Sequence, residues 1–195
     1  MPWIEPITLI GSHAILEPLS KKHHDDLVEA VKDGKLWELW YTFIPNPEAM
    51  EKEINRRLEL KAHHSMLPFA VIDAKTKKAI GMTSFLNIDS ANKRLEIGST
   101  WYRLSSQRTA INTECKLLLL THAFEIKKSI AIEFRTHFLN KNSRKAIENL
   151  GAKLDGVLRN HILSSNGTLR DTCVYSIIEN EWSSVKSNLL FRLRN

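Results

Sequence analysis

Apolar residues fall into short β-rich blocks in the middle of the chain and into longer helical stretches on either side. "HAILEPLS" (residues 13–20) places Ala14 and Leu16 on one face and reads as a first strand. Ser20 then caps a helix near Lys21–Lys32, with Gly34 just behind it. Pro45 and Pro47 punctuate a loop, and a charged helical stretch runs from Glu48 to His63. "PFAVIDA" (68–74) and "AIGMTSFLNI" (79–88) are β-rich and joined by the polar turn "KTKK", which predicts a hairpin. "RLEIGSTWY" (94–102) is a third run, with Leu95 and Ile97 on the face opposite Glu96. A helix from about Ile111 to Ile126 carries four consecutive leucines. The strand "IAIEFRTHFL" (130–139) and a shorter helix, "NSRKAIENL" (142–150), follow, with Gly151 as C-cap. Residues 156–178 form two strands around Asn166-Gly167, a strong hairpin signal. The tail from Glu179 to Asn195 makes one more helix.

A strand–helix–strand unit implies a parallel pair, because parallel strands need a crossover. The expected class is α/β (α+β): a mostly antiparallel mixed sheet, split by one parallel pair and flanked by helices. A ligand cleft is expected near the carboxyl end of the strand that enters the crossover. No repeat or low-complexity linker divides the chain, so residues 1–195 are expected to form one domain with a helical tail from about 180.

Composition narrows the class without choosing a function. At 43% hydrophobic and 26% charged residues, the 195-residue chain has an ordinary globular make-up. Lys plus Arg exceeds Asp plus Glu by 28 − 22 = 6, which favours acidic partners such as nucleotide phosphates or RNA-rich particles. Cys115 and Cys173 are the only cysteines and give neither a disulfide framework nor a zinc motif. His23-His24 and His63-His64 are adjacent pairs that a helix points apart, so no metal is expected. No signal peptide is read, and the longest apolar run, Leu117–Leu120, is far short of the ~20 residues a bilayer crossing needs. A cytoplasmic location without membrane attachment is the default.

Candidate chemistry gathers at four places. "SSQRTAINTECKLLLLTHAFE" (105–125) leads a basic polar loop into an apolar helix. A helix start offers free N–H groups and partial positive charge, so Arg108, Thr109 and Asn112 there suit a phosphate; a simply capped helix is the alternative. Glu96 is a carboxylate on a strand beside the expected cleft, suited to proton abstraction if burial raises its pKa, or else to an ion pair with Arg135. Asn140-x-x-Ser143 opens the second core helix and reads as capping. Tyr175 reads as a core tyrosine or as a proton donor, and Cys115 as a core position. Trp37, Trp40, Tyr41 and Phe43 either line an acceptor pocket or pack on the sheet.

Together these features resemble the GNAT superfamily of acyl-CoA-dependent N-acyltransferases. Its pyrophosphate loop runs Gln/Arg-x-x-Gly-x-Gly/Ala; here Gln107 fits, while Ala110 and Asn112 replace the small residues. "NKNSRKAIENLGAKLDGVLR" is similar to a segment of the RimJ/RimL type of ribosomal-protein N-terminal acetyltransferases, matching at Asn140, Ser143, Gly151, Gly156 and Arg159, with Asp155 for the usual Glu. Asp171 and Tyr175 match that group's Asp-x-x-x-Tyr strand. The resemblance covers roughly residues 8–180 and implies acetyl transfer from acetyl-CoA to a primary amine by direct attack. Thr100, Trp101, Tyr102, Gln107, Arg108, Thr109, Ala110, Ile111, Asn112, Asn140 and Ser143 would line the cofactor. Glu96 would be the general base, with Ser143 and Tyr175 as rival acids for the departing thiolate. The implied acceptor is a peptide or protein N-terminus. A small amine, and a module that binds CoA without catalysis, are the other readings. Nucleic acid ranks lowest as a direct ligand, and monomer and homodimer stay equally open.

Overall fold

The expected β-blocks assemble into one eight-stranded sheet in a computed structural model that describes residues 2–164 and 166–194. The strands are β1 (Leu9–Ile10), β2 (Ala14–Pro18), β3 (Met66–Asp73), β4 (Ala79–Asp89), β5 (Arg94–Tyr102), β6 (Ala131–His137), β7 (Lys153–Leu163) and β8 (Leu169–Ile178). Their order is β1-β2-β3-β4-β5-β6-β8-β7, and only β5 and β6 pair in parallel. The two-residue β1 was too short to leave a pattern in the sequence. Strand β3 starts two residues before Pro68, which a central strand seldom admits. Here β2 stops pairing at Phe69, so the missing donor lies past the last rung, where the Pro68 carbonyl accepts from the Leu19 N–H.

Five helices, α1 (His24–Lys32), α2 (Met50–Ala62), α3 (Ala110–Thr121), α4 (Lys141–Glu148) and α5 (Trp182–Arg194), flank the sheet. Short 3₁₀ turns lead into α1 and α2, and α3 widens into a π turn over His122–Ile126, so the expected helices are regular over slightly shorter spans. The expected tail helix ends with Asn195, which lies outside the described residues, as do Met1 and, in the final hairpin's loop, Ser165.

Strand alternation sends side chains into two cores. One face holds Leu16, Phe69, Phe85, Leu95, Ile97, Phe134 and Ile177 against Cys115 and Leu119 of α3 and Leu189 of α5. The other packs Ala70, Ile72, Met82 and Trp101 against Leu27, Val31, Met50 and Ile54 of α1 and α2. Helix α3 is fixed by charge as well as by leucines. The buried Glu114 carboxylate accepts the N–H groups of Ser12, His13 and Ala14 at 2.8, 2.6 and 2.7 Å. Helix α4 ends at Glu148 with Asn149 as its C-cap, so the expected cap, Gly151, lies two residues farther on: its φ of +100° is a left-handed turn that glycine supplies without strain, and its N–H donates back to the Glu148 carbonyl at 2.9 Å.

Candidate functional site

Strands β5 and β6 share only three rungs, Arg94–Ala131, Leu95–Ile132 and Glu96–Glu133. Beyond them the strands part. The chain leaves the carboxyl end of β5 for the start of α3, and that of β6 for the start of α4, so both helix N-termini stand at the open end of the split. Glu96 lies on the last rung, at the vertex.

A bulge shapes β5 just past that vertex. Gly98 and Trp101 face Ser84 and Met82, three steps on β5 against two on β4. Ser99, inside the bulge, has a φ of +49°. Two buried cations hold it from opposite faces. Arg57 of α2 donates to the Ser99 carbonyl at 3.1 Å and to Ser84 Oγ at 3.2 Å, and is itself paired with buried Glu53 at 2.7 Å. Lys116 of α3 donates to Thr100 Oγ1 at 3.1 Å, which in turn meets Thr83 Oγ1 at 2.7 Å. Burial pulls the Lys116 ammonium down to about 8. The i,i+4 spacing of Glu53 and Arg57 is the sequence signal that points to their pairing. For Lys116, on an apolar helix, there is none.

Glu96 is 5% exposed, and burial raises its carboxyl above the ordinary range against the opposing pull of Asn87 and Arg135. Asn87 Nδ2 donates to its Oε2 at 2.7 Å, and Arg135 Nε stands 3.6 Å away. The expected contact with Arg135 is therefore present, yet Glu133 holds Arg135 more closely, at 2.9 Å. A Cβ on Gly98 would meet Glu96 Oε1 at 2.7 Å, so this glycine makes room for the carboxylate.

The loop before α3 is pinned at both ends. Asp33, after α1, accepts from Arg103 Nε at 2.9 Å and from the Ser105 hydroxyl and N–H at 2.6 and 3.1 Å. The Ser105 hydroxyl, ahead of Arg103, holds the Asp33 carboxyl down at about 2. Gln107 Nε2 donates to the Tyr102 carbonyl at 3.1 Å. Thr109 is the N-cap: its hydroxyl donates to the Ser106 carbonyl at 2.8 Å and accepts from the Ile111 N–H at 3.3 Å. That cap takes one of the orphan donors of the first turn and leaves those of Ala110 and Asn112. Gln107, Arg108 and Thr109 are exposed, Ala110 and Asn112 half-buried and Ile111 buried. Ala110 is the first residue of the helix and is not in the left-handed region; Arg108, with φ +60°, is. The cap thus leaves free donors at this helix start, and the set has the chemistry a pyrophosphate needs: main-chain N–H groups, the helix dipole and the Arg108 charge.

The side chains of Trp101 and Tyr102 are buried in the two cores on opposite faces, and their main chain pairs with β4, with the Tyr102 carbonyl also held by Gln107. Cys115 is buried and its thiol is pushed up to about 12, which makes it a packing residue. Asn140 caps α4 through the Ser143 N–H at 3.0 Å, and the Ser143 hydroxyl makes no hydrogen bond among the described residues. Tyr175 is buried. Its hydroxyl donates to Glu148 Oε1 at 2.7 Å and accepts from Arg144 Nε at 2.9 Å, both on α4. Burial raises that phenol's pKa, and its proton is already engaged. Trp37 packs into the core of α1 and α2, whereas Trp40 reaches the end of β6 and meets His137 edge-on at 5.3 Å. Phe43 is 72% exposed.

Known proteins share this arrangement. Residues 13–153 match the family model described as the acetyltransferase (GNAT) domain. "Putative ribosomal N-acetyltransferase YdaF" of Bacillus subtilis (strain 168) is 31% identical over 106 residues, a match spanning 54% of this chain and 57% of that relative. The crystal structure of a GCN5-related N-acetyltransferase from Brucella melitensis superposes with a TM-score of 0.89 at 28% identity, covering 98% of this chain and 87% of the other. The ribosomal-protein-S5-alanine acetyltransferase from Vibrio fischeri, 18% identical, shares the fold with a TM-score of 0.71 over 90% of this chain and 98% of its own. The split sheet, its two flanking helix starts and the family match agree, and the chain belongs to the GNAT acetyltransferase domain family.

Proposed function

We propose that the protein transfers the acetyl group of acetyl-CoA to a primary amine, with a peptide or protein N-terminus as the acceptor. The observation that carries this reading is the convergence of both helix N-termini on the open end of the β5/β6 split, with a raised-pKa carboxylate at its vertex. Acetyl-CoA supplies an activated thioester and a pyrophosphate. The start of α3, with Arg108, holds the phosphates, and the main chain of the β5 bulge faces the gap where the thioester lies.

Glu96 takes a proton from the acceptor ammonium, directly or through a water. The freed amine attacks the thioester carbon, so a C–N bond forms and the C–S bond breaks. The attacking nitrogen then loses its second proton, which reaches the departing thiolate through Ser143: its free hydroxyl gives one proton to the sulfur as it takes one from the nitrogen; Tyr175 is the rival donor, but its proton is shared with Glu148. The chain supplies proximity and main-chain donors, without a covalent enzyme intermediate. The relative YdaF and the Vibrio fischeri protein are both named for ribosomal acetylation, which supports a protein acceptor.

The test is thiol release from acetyl-CoA against a panel of peptides and small amines, paired with thermal unfolding. Acetyl-CoA should raise the melting temperature by mass action, and pantetheine, which lacks the pyrophosphate, far less. Equal stabilisation by both would remove the phosphate cradle, and binding without turnover of any amine would leave a CoA-binding module.

A further inference from the structure

The sheet register collects one row of polar side chains that the reaction above uses only in part. Glu96 pairs with Glu133 across β5 and β6, and His137 pairs with Thr172 across β6 and β8. Side chains two apart on a strand share a face, so Glu96, Glu133, Arg135, His137, Thr172 and Arg170 all lie on the face that carries α1 and α2. Those helices pack over β3 and β4. Over the β6–β8 half of this face the loop after α1 reaches in with Trp40.

The charges in the row are unevenly matched. Glu133 holds Arg94 and Arg135, each at 2.9 Å, and Arg135 also neighbours Glu96 at 3.6 Å. Asp171 is held by Arg159 at 2.6 Å and by the Asn160 N–H at 2.8 Å. Arg170 is half-buried and donates through Nε to Thr172 Oγ1 at 3.1 Å, and no carboxylate among the described residues lies within ion-pair distance of it. Its charge acts on both Glu96 and His137. His137 is in a similar state. Its Nδ1 accepts the Leu139 N–H at 3.0 Å, which assigns the ring proton to Nε2, and that buried Nε2 has no acceptor among the described residues. A half-buried guanidinium that feels a carboxylate, Glu96, only at a distance and a buried N–H without an acceptor among the described residues both cost free energy, unless a ligand supplies the missing oxygens.

We infer that the acceptor carries a carboxylate near its amine, and that Arg170 receives it. This rests on the acetyl-transfer reading, in which the amine sits at Glu96. The face then meets the acceptor with opposite charges in matching places: an anion at the split for the ammonium, and a forked cation farther along for the carboxylate. A basic side chain in the same place would meet Arg170 as a like charge. The carboxylate can come from an acidic side chain of a peptide or from the α-carboxyl of a free amino acid.

The test uses the full chain saturated with CoA and two matched pairs of acceptors: Ser-Asp-amide against Ser-Asn-amide, and serine against serinamide. Affinity is measured by calorimetry, so it does not depend on turnover, and KM is measured with acetyl-CoA where turnover occurs. The acidic member of one pair should bind about tenfold to a hundredfold more tightly than its amide, and the responding pair identifies the source of the carboxylate. Arg170→Gln should abolish that preference, raising KM for the acid far more than for the amide, while Arg170→Lys should restore part of it. An unchanged melting-temperature shift with acetyl-CoA confirms that each variant is folded. Equal affinity for acid and amide in both pairs, or no measurable binding of any member, would overturn the inference while thiol release with other amines still supported acetyl transfer. A preference for the acid that survives Arg170→Gln would overturn the assignment to Arg170.

Discussion

Glu96 is the residue on which chemistry and stability meet. Because its folded pKa is raised, the fold favours the protonated carboxyl. The ionised form is therefore a destabilising group, its effect absent below the unfolded value near 4.5 and fully present above the folded one. Glu96→Gln should raise the melting temperature at pH 8, and the gain should vanish as pH falls below about 4.5. The same variant should slow turnover roughly 10²–10⁴-fold at neutral pH, with the loss shrinking at high pH where the acceptor amine is already neutral. A slower enzyme that was also less stable at pH 8 would mark Glu96 as a structural ion-pair partner. The carboxylate was legible in the sequence because Leu95 and Ile97 fix its face by alternation. Asn87, Arg57, Arg170 and His137 were not. Each comes from a different element, and a linear pattern carries no information about which distant side chains converge.

At the scale of one element, α3 joins packing and support of the β5 bulge to the anion capture proposed for its N-terminus. Its start was readable to within one residue from the polar loop and the leucines, and Ala110 fits because it opens the helix rather than a left-handed turn. Lys116 was not readable, since nothing local says that a lysine in this helix points inward. Its pKa is lowered to about 8 from 10.5, so its charged form is penalised in the fold. That penalty is full below about 8 and gone above 10.5. Lys116→Met keeps the volume and should raise the melting temperature at pH 7, by an amount that shrinks steadily as pH rises toward 10.5. If the bulge needs this cation, the more stable variant should also bind acetyl-CoA more weakly; unchanged affinity would mean that Arg57 alone holds the bulge.

For the whole molecule, the order of strands was largely legible because most neighbours in the sheet are neighbours in sequence, joined by turns whose residues declare themselves. In the turn after β3, the Asp73 carboxylate accepts the N–H groups of Lys75 and Thr76 at 2.8 and 2.9 Å. The bulge was harder to see, because one extra residue leaves the alternation intact on either side. The tail was read as a helix, but its role follows only from contacts. Trp182 stacks on Phe124 at 5.3 Å and donates to Glu125 at 2.8 Å, closing the core over α3. Trp182→Ala should cost about 3–5 kcal/mol in urea unfolding. A change under about 1 kcal/mol would show that α5 is only loosely docked.

The three rungs between β5 and β6 carry a mechanical consequence. The sheet is two antiparallel rafts, β1 to β5 and β6 with β8 and β7, moored along a short seam and by the α3 crossover. Each raft has its own long ladders, so strain applied to the molecule concentrates at the mooring. The gap beyond it is an unzipped margin of main-chain donors and acceptors on β5 and β6. A thioester cofactor whose arm bears amide groups can lie in that gap as a surrogate strand and complete the zipper. In the proposed function, the seam with the fewest rungs would then be where the cofactor enters, and loading it would make one plank of the two rafts.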